Sequence, residues 1–150
     1  MKKLLHLVLG LGLAFSLLSL GSASSAQSSA GFAVIVHPSN PVSTMNRNDV
    51  SGMFLRRERR WPNGRTVDPV DQPLGSPVRE AFSQAVHRRS ATSVASFWRQ
   101  QIFSGRSVPP AEQANDAATA RYVASHPDAI GYVSASFGSP AVKVLQVSGL

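Results

Sequence analysis

The chain has 150 residues and no cysteine, with 15 Lys and Arg against 8 Asp and Glu, for a formal net charge of +7. Without cysteine there is no disulfide framework and no site for lipid attachment at an export junction, so the folded part must be held by its core alone. The length suits one domain and is short for two.

Lys2 and Lys3 precede the run Leu4 to Leu20, which is apolar apart from His6, Ser16, Ser19 and its glycines. This is the pattern of a secretory signal. The run has 17 residues, is interrupted by Gly10 and Gly12, and falls short of the roughly 20 that a bilayer span requires. Small residues at Ser24/Ala26 or Gly21/Ala23 suit signal peptidase, and cleavage after Ala26 is expected. That leaves residues 27–150 as a single domain in the periplasm. Losing Lys2 and Lys3 leaves 13 basic against 8 acidic residues, a net +5, and every remaining basic residue except Lys143 is arginine. Arginine excess favours phosphate-like solutes, anionic lipid surfaces or the acidic polymers of the envelope. A nucleic-acid partner is not expected of an exported chain.

Phe32 to Val36 form a continuous apolar run, the pattern of a strand buried on both faces, and His37-Pro38-Ser39-Asn40-Pro41 stops it. Asn46 with Asp49 predicts a capped helix whose inner face carries Val50, Met53 and Phe54. The basic cluster Arg56-Arg57-Glu58-Arg59-Arg60 follows, then a turn at Trp61-Pro62-Asn63-Gly64. A short strand is expected over Thr66–Val70 and a loop over Asp71–Ser76. Ser76 as cap and Pro77 at the first helical position start a helix with Val78, Ala81, Phe82, Ala85 and Val86 on one face. It ends at His87-Arg88-Arg89-Ser90. A third helix is predicted from Thr92 to Phe103, with Val94, Phe97, Trp98 and Ile102 inward and Gly105 as its C-terminal cap. A fourth is predicted from Ala111 to Ser125, with Ala114, Ala117, Ala118 and Tyr122 as its inner stripe. Ala129–Val133 and Ala141–Val147 read as closing strands. Strands alternating with helices predict an α/β fold, a mostly parallel sheet of about four to five strands flanked by helices.

The local feature with the most chemistry is Gly75-Ser76-Pro77-Val78-Arg79, where a strand–loop–helix junction presents backbone N–H groups at a helix start. Arg79 in the first turn opposes the helix dipole unless a carboxylate or bound anion offsets it. Gly75, Ser76 and Arg79 are therefore candidate anion contacts. His37, His87 and His126 lack ligand-like spacing, so no metal or cofactor is expected. Val78 stands where the second glycine of a nucleophile elbow belongs, which argues against a serine hydrolase, and no catalytic residue is assigned. Asp68, Asp71 and Glu80 are read as solvating loops or pairing with Arg65 or Arg79. Arg56, Arg57, Arg59 and Arg60 form a candidate face for docking an acidic partner.

Four features occur in a telling order: Val36-His37-Pro38-Ser39-Asn40-Pro41, the helix ending Met53-Phe54-Leu55, the turn Trp61-Pro62-Asn63-Gly64-Arg65, and Gly75-Ser76. Together with the closing Ala129-Ile130-Gly131-Tyr132-Val133, they resemble the phosphate ABC-transporter substrate-binding proteins of the type II periplasmic binding superfamily. The resemblance covers roughly residues 32–147. It implies one lobe of such a protein, since a full receptor is about twice this length, and no counterpart of its first-lobe phosphate loop is present. It also implies phosphate or a related oxyanion as ligand, with Gln72, Gly75, Ser76 and Arg79 at the site. A membrane transporter or sensor is the implied partner. The sequence departs from the family at Gln72, where an arginine is usual, and at Pro77-Val78, where Gly-Thr is usual. A one-lobe adaptor that binds another envelope protein without a small ligand is the alternative, and a homodimer would recreate a two-lobed cleft.

Overall fold

A computed structural model describes residues 31–150. The expected export signal (1–26) and the expected domain start at residue 27 fall outside the described residues. Six strands form one mixed sheet: β1 (Phe32–Val36), β2 (Thr44–Asn46), β3 (Asp68–Asp71), β4 (Ala111–Glu112), β5 (Ala129–Ser134) and β6 (Lys143–Ser148), in the spatial order β2-β6-β1-β5-β3-β4. Three pairings are parallel, β2 with β6, β3 with β5 and β3 with β4, while β1 runs antiparallel to both its neighbours. The sheet is thus mostly parallel by pairing. It exceeds the expected four to five strands because β2 and β4 are too short to show a period-2 pattern.

Among the described residues, α1 (Arg47–Phe54), α2 (Pro77–Phe82) and α4 (Asp116–Ser125) flank the sheet, while α3 (Ala91–Phe103) packs on Leu55 and on the turn after α2. On one face, Phe32, Val34 and Val36 of β1 pack with Val50, Met53 and Phe54 of α1 and with Val78 and Phe82 of α2. On the other, Ile35, Val70, Ala129 and Val133 pack with Ala120 and Val123 of α4. Successive β1 side chains enter opposite layers, and so the strand reads as an unbroken apolar run. Close packing peaks at Gly131, where a Cβ would come within 2.8 Å of Thr119 Cγ2 and 3.0 Å of Val70 Cγ2.

The caps read from the sequence are in place. Asn46 accepts from the Asp49 N–H at 3.0 Å, and Ser76 Oγ accepts from the Arg79 N–H at 3.4 Å. Past Phe82 the second helix widens into a π-turn, Ser83–His87, and stops at Arg88, which takes φ 55°. Ser83 Oγ donates to the Arg89 carbonyl at 2.8 Å there.

Several expectations need correction. Asp71 belongs to β3, which covers Asp68–Asp71 instead of Thr66–Val70. The fourth helix starts at Asp116, because Asn115 caps it through the Ala118 N–H at 2.9 Å, while Ala111-Glu112 pair with β3. Its buried stripe is Thr119, Ala120 and Val123, not Ala114, Ala117, Ala118 and Tyr122. An alanine-rich segment offers little periodic contrast, and the Thr119 hydroxyl escapes the burial penalty by donating to the Asn115 carbonyl at 2.9 Å. On α3, Val94 and Trp98 are buried, but Ile102 is 53% exposed.

Candidate functional site

Strands β3 and β4 are adjacent and parallel, so their C-terminal ends lie side by side. The chain leaves β3 through residues 72–76 into α2, and leaves β4 through residues 113–115 into α4. Two helix N-termini therefore converge, capped by Ser76 and Asn115. Between them lies a cleft of about 360 Å³ lined by Gln72, Pro73, Ser76, Pro77, Asn115 and Asp116, among others. First-turn N–H groups, such as those of Val78 and Ala117, have no acceptor within their own helices. This is the position where α/β sheets gather ligands, outside the carboxyl ends of parallel strands.

Gln72 ties the two junctions together. Its Nε2 donates to Asp116 Oδ1 at 2.7 Å and to the Tyr132 carbonyl at 3.1 Å, and its Oε1 accepts from Ser76 Oγ at 3.1 Å. Its backbone N–H donates to Asp71 Oδ1 at 3.0 Å and to the Tyr132 hydroxyl at 3.2 Å. Gln72 is only 3% exposed, so these bonds satisfy a polar side chain that would otherwise be costly to bury.

Arg79 is also buried, at 5% exposure. Its Nη1 donates to the Gln72 carbonyl at 2.6 Å and to Glu112 Oε1 at 2.9 Å, and its Nη2 lies 3.2 Å from Asp71 Oδ2. The carboxylates expected to offset its position at the helix start are therefore Asp71 and Glu112. Burial pushes the Asp71 carboxyl above its ordinary range, against the Arg79 charge and a hydrogen bond donated by Tyr132. Burial, the Asp71 charge and that hydrogen bond push the Tyr132 hydroxyl up, so it stays protonated and donating.

The structure thus brings Gln72, Ser76 and Arg79 into one cluster, with Gly75 on its exposed rim. It adds Asp71, Glu112, Asn115, Asp116 and Tyr132, which sequence reasoning did not assign. Asn115 was legible as a cap before an alanine-rich run, and Tyr132 as a lone hydroxyl in a buried strand that needs a partner. Glu112 gave no signal, since a two-residue strand leaves no pattern. Asp71 was recognised as a partner for Arg79, but as a loop residue.

The other candidates lie elsewhere. Arg57, Arg59 and Arg60 are exposed and Arg56 is half-buried with φ 58°. Arg65 pairs with Asp128 at 2.6 Å, while Glu80 accepts from the Ala91 N–H at 2.9 Å. The histidines stay separate: His37 bonds Ser39, His87 bonds Ser51 and His126 bonds the Tyr122 carbonyl. Among the described residues, no group of three or more His, Asp or Glu could hold a metal ion, and no helix is long and apolar enough to cross a membrane.

No protein-family profile matches the sequence, and no curated protein is significantly similar to it. Solved structures are similar. One, described as a phosphate ABC-transporter substrate-binding protein with bound phosphate from Clostridium perfringens, aligns at TM-score 0.64 and 21% identity over 80% of this chain and 46% of its own. An ABC-type phosphate transport receptor from Vibrio cholerae aligns at TM-score 0.63 and 18% identity over 80% of this chain and 47% of its own. PstS from Borrelia burgdorferi aligns at TM-score 0.62 and 9% identity over 79% and 47%. The chain spans about half the length of these proteins, and at such identities the likeness is one of fold: the described α/β sheet and its helices share the architecture of the matched part of these structures.

Proposed function

We propose that this protein is a non-enzymatic, exported receptor module that takes phosphate or a related oxyanion at the Ser76 cleft and serves transport through a membrane complex. One observation carries this reading: two capped helix N-termini meet over the ends of adjacent parallel strands, in a fold shared with phosphate receptors. The ligand's contacts are the Ser76 hydroxyl, turned away from Gln72 Oε1, with the Gly75 and Val78 N–H groups and Gln72. Arg79, paired with Asp71 and Glu112, holds the Gln72 carbonyl and so the loop behind them. A second copy of the chain, facing this cleft, supplies further ligand contacts.

The same geometry limits affinity. Asp71 and Glu112 already pair with the Arg79 guanidinium, and Asp116, bonded to Gln72, lines the cleft itself. A dianion meets this charge directly, so Asp116→Asn, which keeps the acceptor for Gln72, is expected to tighten phosphate binding by roughly fivefold, about 1 kcal/mol. This acidic surround favours a second reading, a one-lobe interaction protein without a small ligand.

Calorimetric titration of residues 27–150 with phosphate at low salt separates the two. Saturable heat that Ser76→Ala weakens and Asp116→Asn strengthens supports the receptor. Silence from all three proteins at millimolar phosphate leaves the interaction protein.

A further inference from the structure

From Ala81 to Ala111 the chain carries four arginines and no carboxylate. The C-terminal end of α3 and the loop after it lie in this stretch and expose three large apolar side chains: Ile102 at 53%, Phe103 at 96% and Val108 at 65%. A folded domain rarely leaves a phenylalanine so fully in water beside other exposed apolar groups unless that surface meets something. The arginines of the 56–60 turn come to the same place. Leu55 packs with Val94 and Trp98 of α3, and the Arg57 guanidinium lies 6.0 Å from the Phe97 ring centroid. Arg59 and Arg106 then line one notch of about 290 Å³, whose wall includes Ile102 and Val108. Arg99 stands one turn before Phe103 on α3. Among the described residues, Arg57, Arg59, Arg99 and Arg106 have no carboxylate partner.

We propose that this face docks on an anionic phospholipid surface, with Phe103 and Ile102 entering the headgroup boundary and Arg59, Arg99 and Arg106 contacting lipid phosphates. The arrangement supplies the two signals that peripheral attachment needs, apolar insertion and a cluster of basic charge. Arginine stems lie along the apolar surface while their guanidinium groups stay with the phosphates. A second copy docked through the same face would set arginine against arginine. Phe103 projects from a helix end, a shape suited to entering a fluid boundary. Docking here is independent of phosphate capture at Ser76, which sits beyond the opposite end of α2 from the turn leading into α3.

Co-sedimentation tests the proposal with residues 27–150, which contain every described element and its core. The probes are vesicles of phosphatidylglycerol mixed with phosphatidylcholine, and vesicles of phosphatidylcholine alone, at low salt. Binding is expected only to the mixed vesicles. Phe103→Ser is expected to weaken it about tenfold or more, and Arg59→Gln and Arg106→Gln about fivefold each. All three positions are exposed, so circular dichroism should match the parent. Absence of binding to the mixed vesicles, or binding that Phe103→Ser leaves unchanged, overturns the proposal. So does tighter binding to soluble polyglutamate than to vesicles, which would assign the face to an acidic protein.

Discussion

Two groups of arginines in one small domain behave in opposite ways. Arg79 is buried, fixed by Asp71, Glu112 and the Gln72 carbonyl, and its charge is neutralised inside the fold. Arg57, Arg59, Arg99 and Arg106 lie in the open, without carboxylate partners among the described residues, beside exposed apolar side chains. The same residue type therefore does two jobs. Arg79 shapes the loop that presents Ser76, while the outer arginines remain available to whatever approaches. A basic net charge says little about where a chain can receive an anion until each guanidinium has been assigned its partners.

The largest expected effect breaks the buried side. Arg79→Ala leaves Asp71 buried without its counter-ion and should lower stability by about 3–5 kcal/mol in urea unfolding. Adding Asp71→Asn should return part of that loss, as expected for a coupled pair. A loss below about 1 kcal/mol for Arg79→Ala would place Arg79 with the exposed group.

His87 stands between the two regions, bonded to Ser51 at 2.8 Å and packed edge-on against Phe82. Burial, together with Arg89, Arg57, Arg79 and Arg47, lowers its pKa from 6.5 to about 4. The unfolded chain binds this proton first, so stability is whole above pH 6.5 and declines as pH falls from about 6.5 to about 4. The slope is roughly 1.4 kcal/mol per pH unit at most. Asp71 has the opposite sign: its raised pKa makes the fold favour the neutral acid, so its contribution improves on acidification. The difference between wild type and His87→Gln across this window isolates the histidine. Parallel pH profiles would mean that His87 does not resist protonation in the fold.

The smallest effects belong outside. Arg65→Ala removes an ion pair whose arginine side chain is 56% exposed and should cost less than about 1 kcal/mol. Phe103→Ser should leave thermal stability within about 0.5 kcal/mol of wild type. Phe82→Ala, by contrast, removes a ring stacked 4.0 Å from that of Tyr132 and should cost about 3–5 kcal/mol. Equal losses from the two phenylalanine variants would show that Phe103 is packed.

Much of the fold behind this contrast is legible in the sequence. Ser76 with Pro77, and Asn46 with Asp49, announce helix starts through local chemistry that tertiary packing does not override. Val34 to Val36, lacking polar alternation, declare a strand covered on both sides. The errors fall where local pattern carries no information. Around Ala114 to Ala120 one alanine looks like another, and only packing against Gly131 and Val70 selects Thr119 and Val123 as the inner stripe. Ile102 has the right spacing to be core, yet α3 reaches past the surface it covers. The Asp71–Arg79 pair could be read as neighbours in sequence, whereas Glu112 and Tyr132 join the cluster only through pairing of β3 with β4 and of β5 with β3.

The most direct test of the central claim is an amide chemical-shift titration of residues 27–150 with phosphate, because it shows which region receives the anion. The account predicts saturable shifts at Gly75, Ser76 and Val78, and at Asp116 and Ala117 across the cleft, with Arg59 and Arg106 left behind. Shifts confined to the Arg59 and Arg106 face, or none at the α2 and α4 starts, would contradict it.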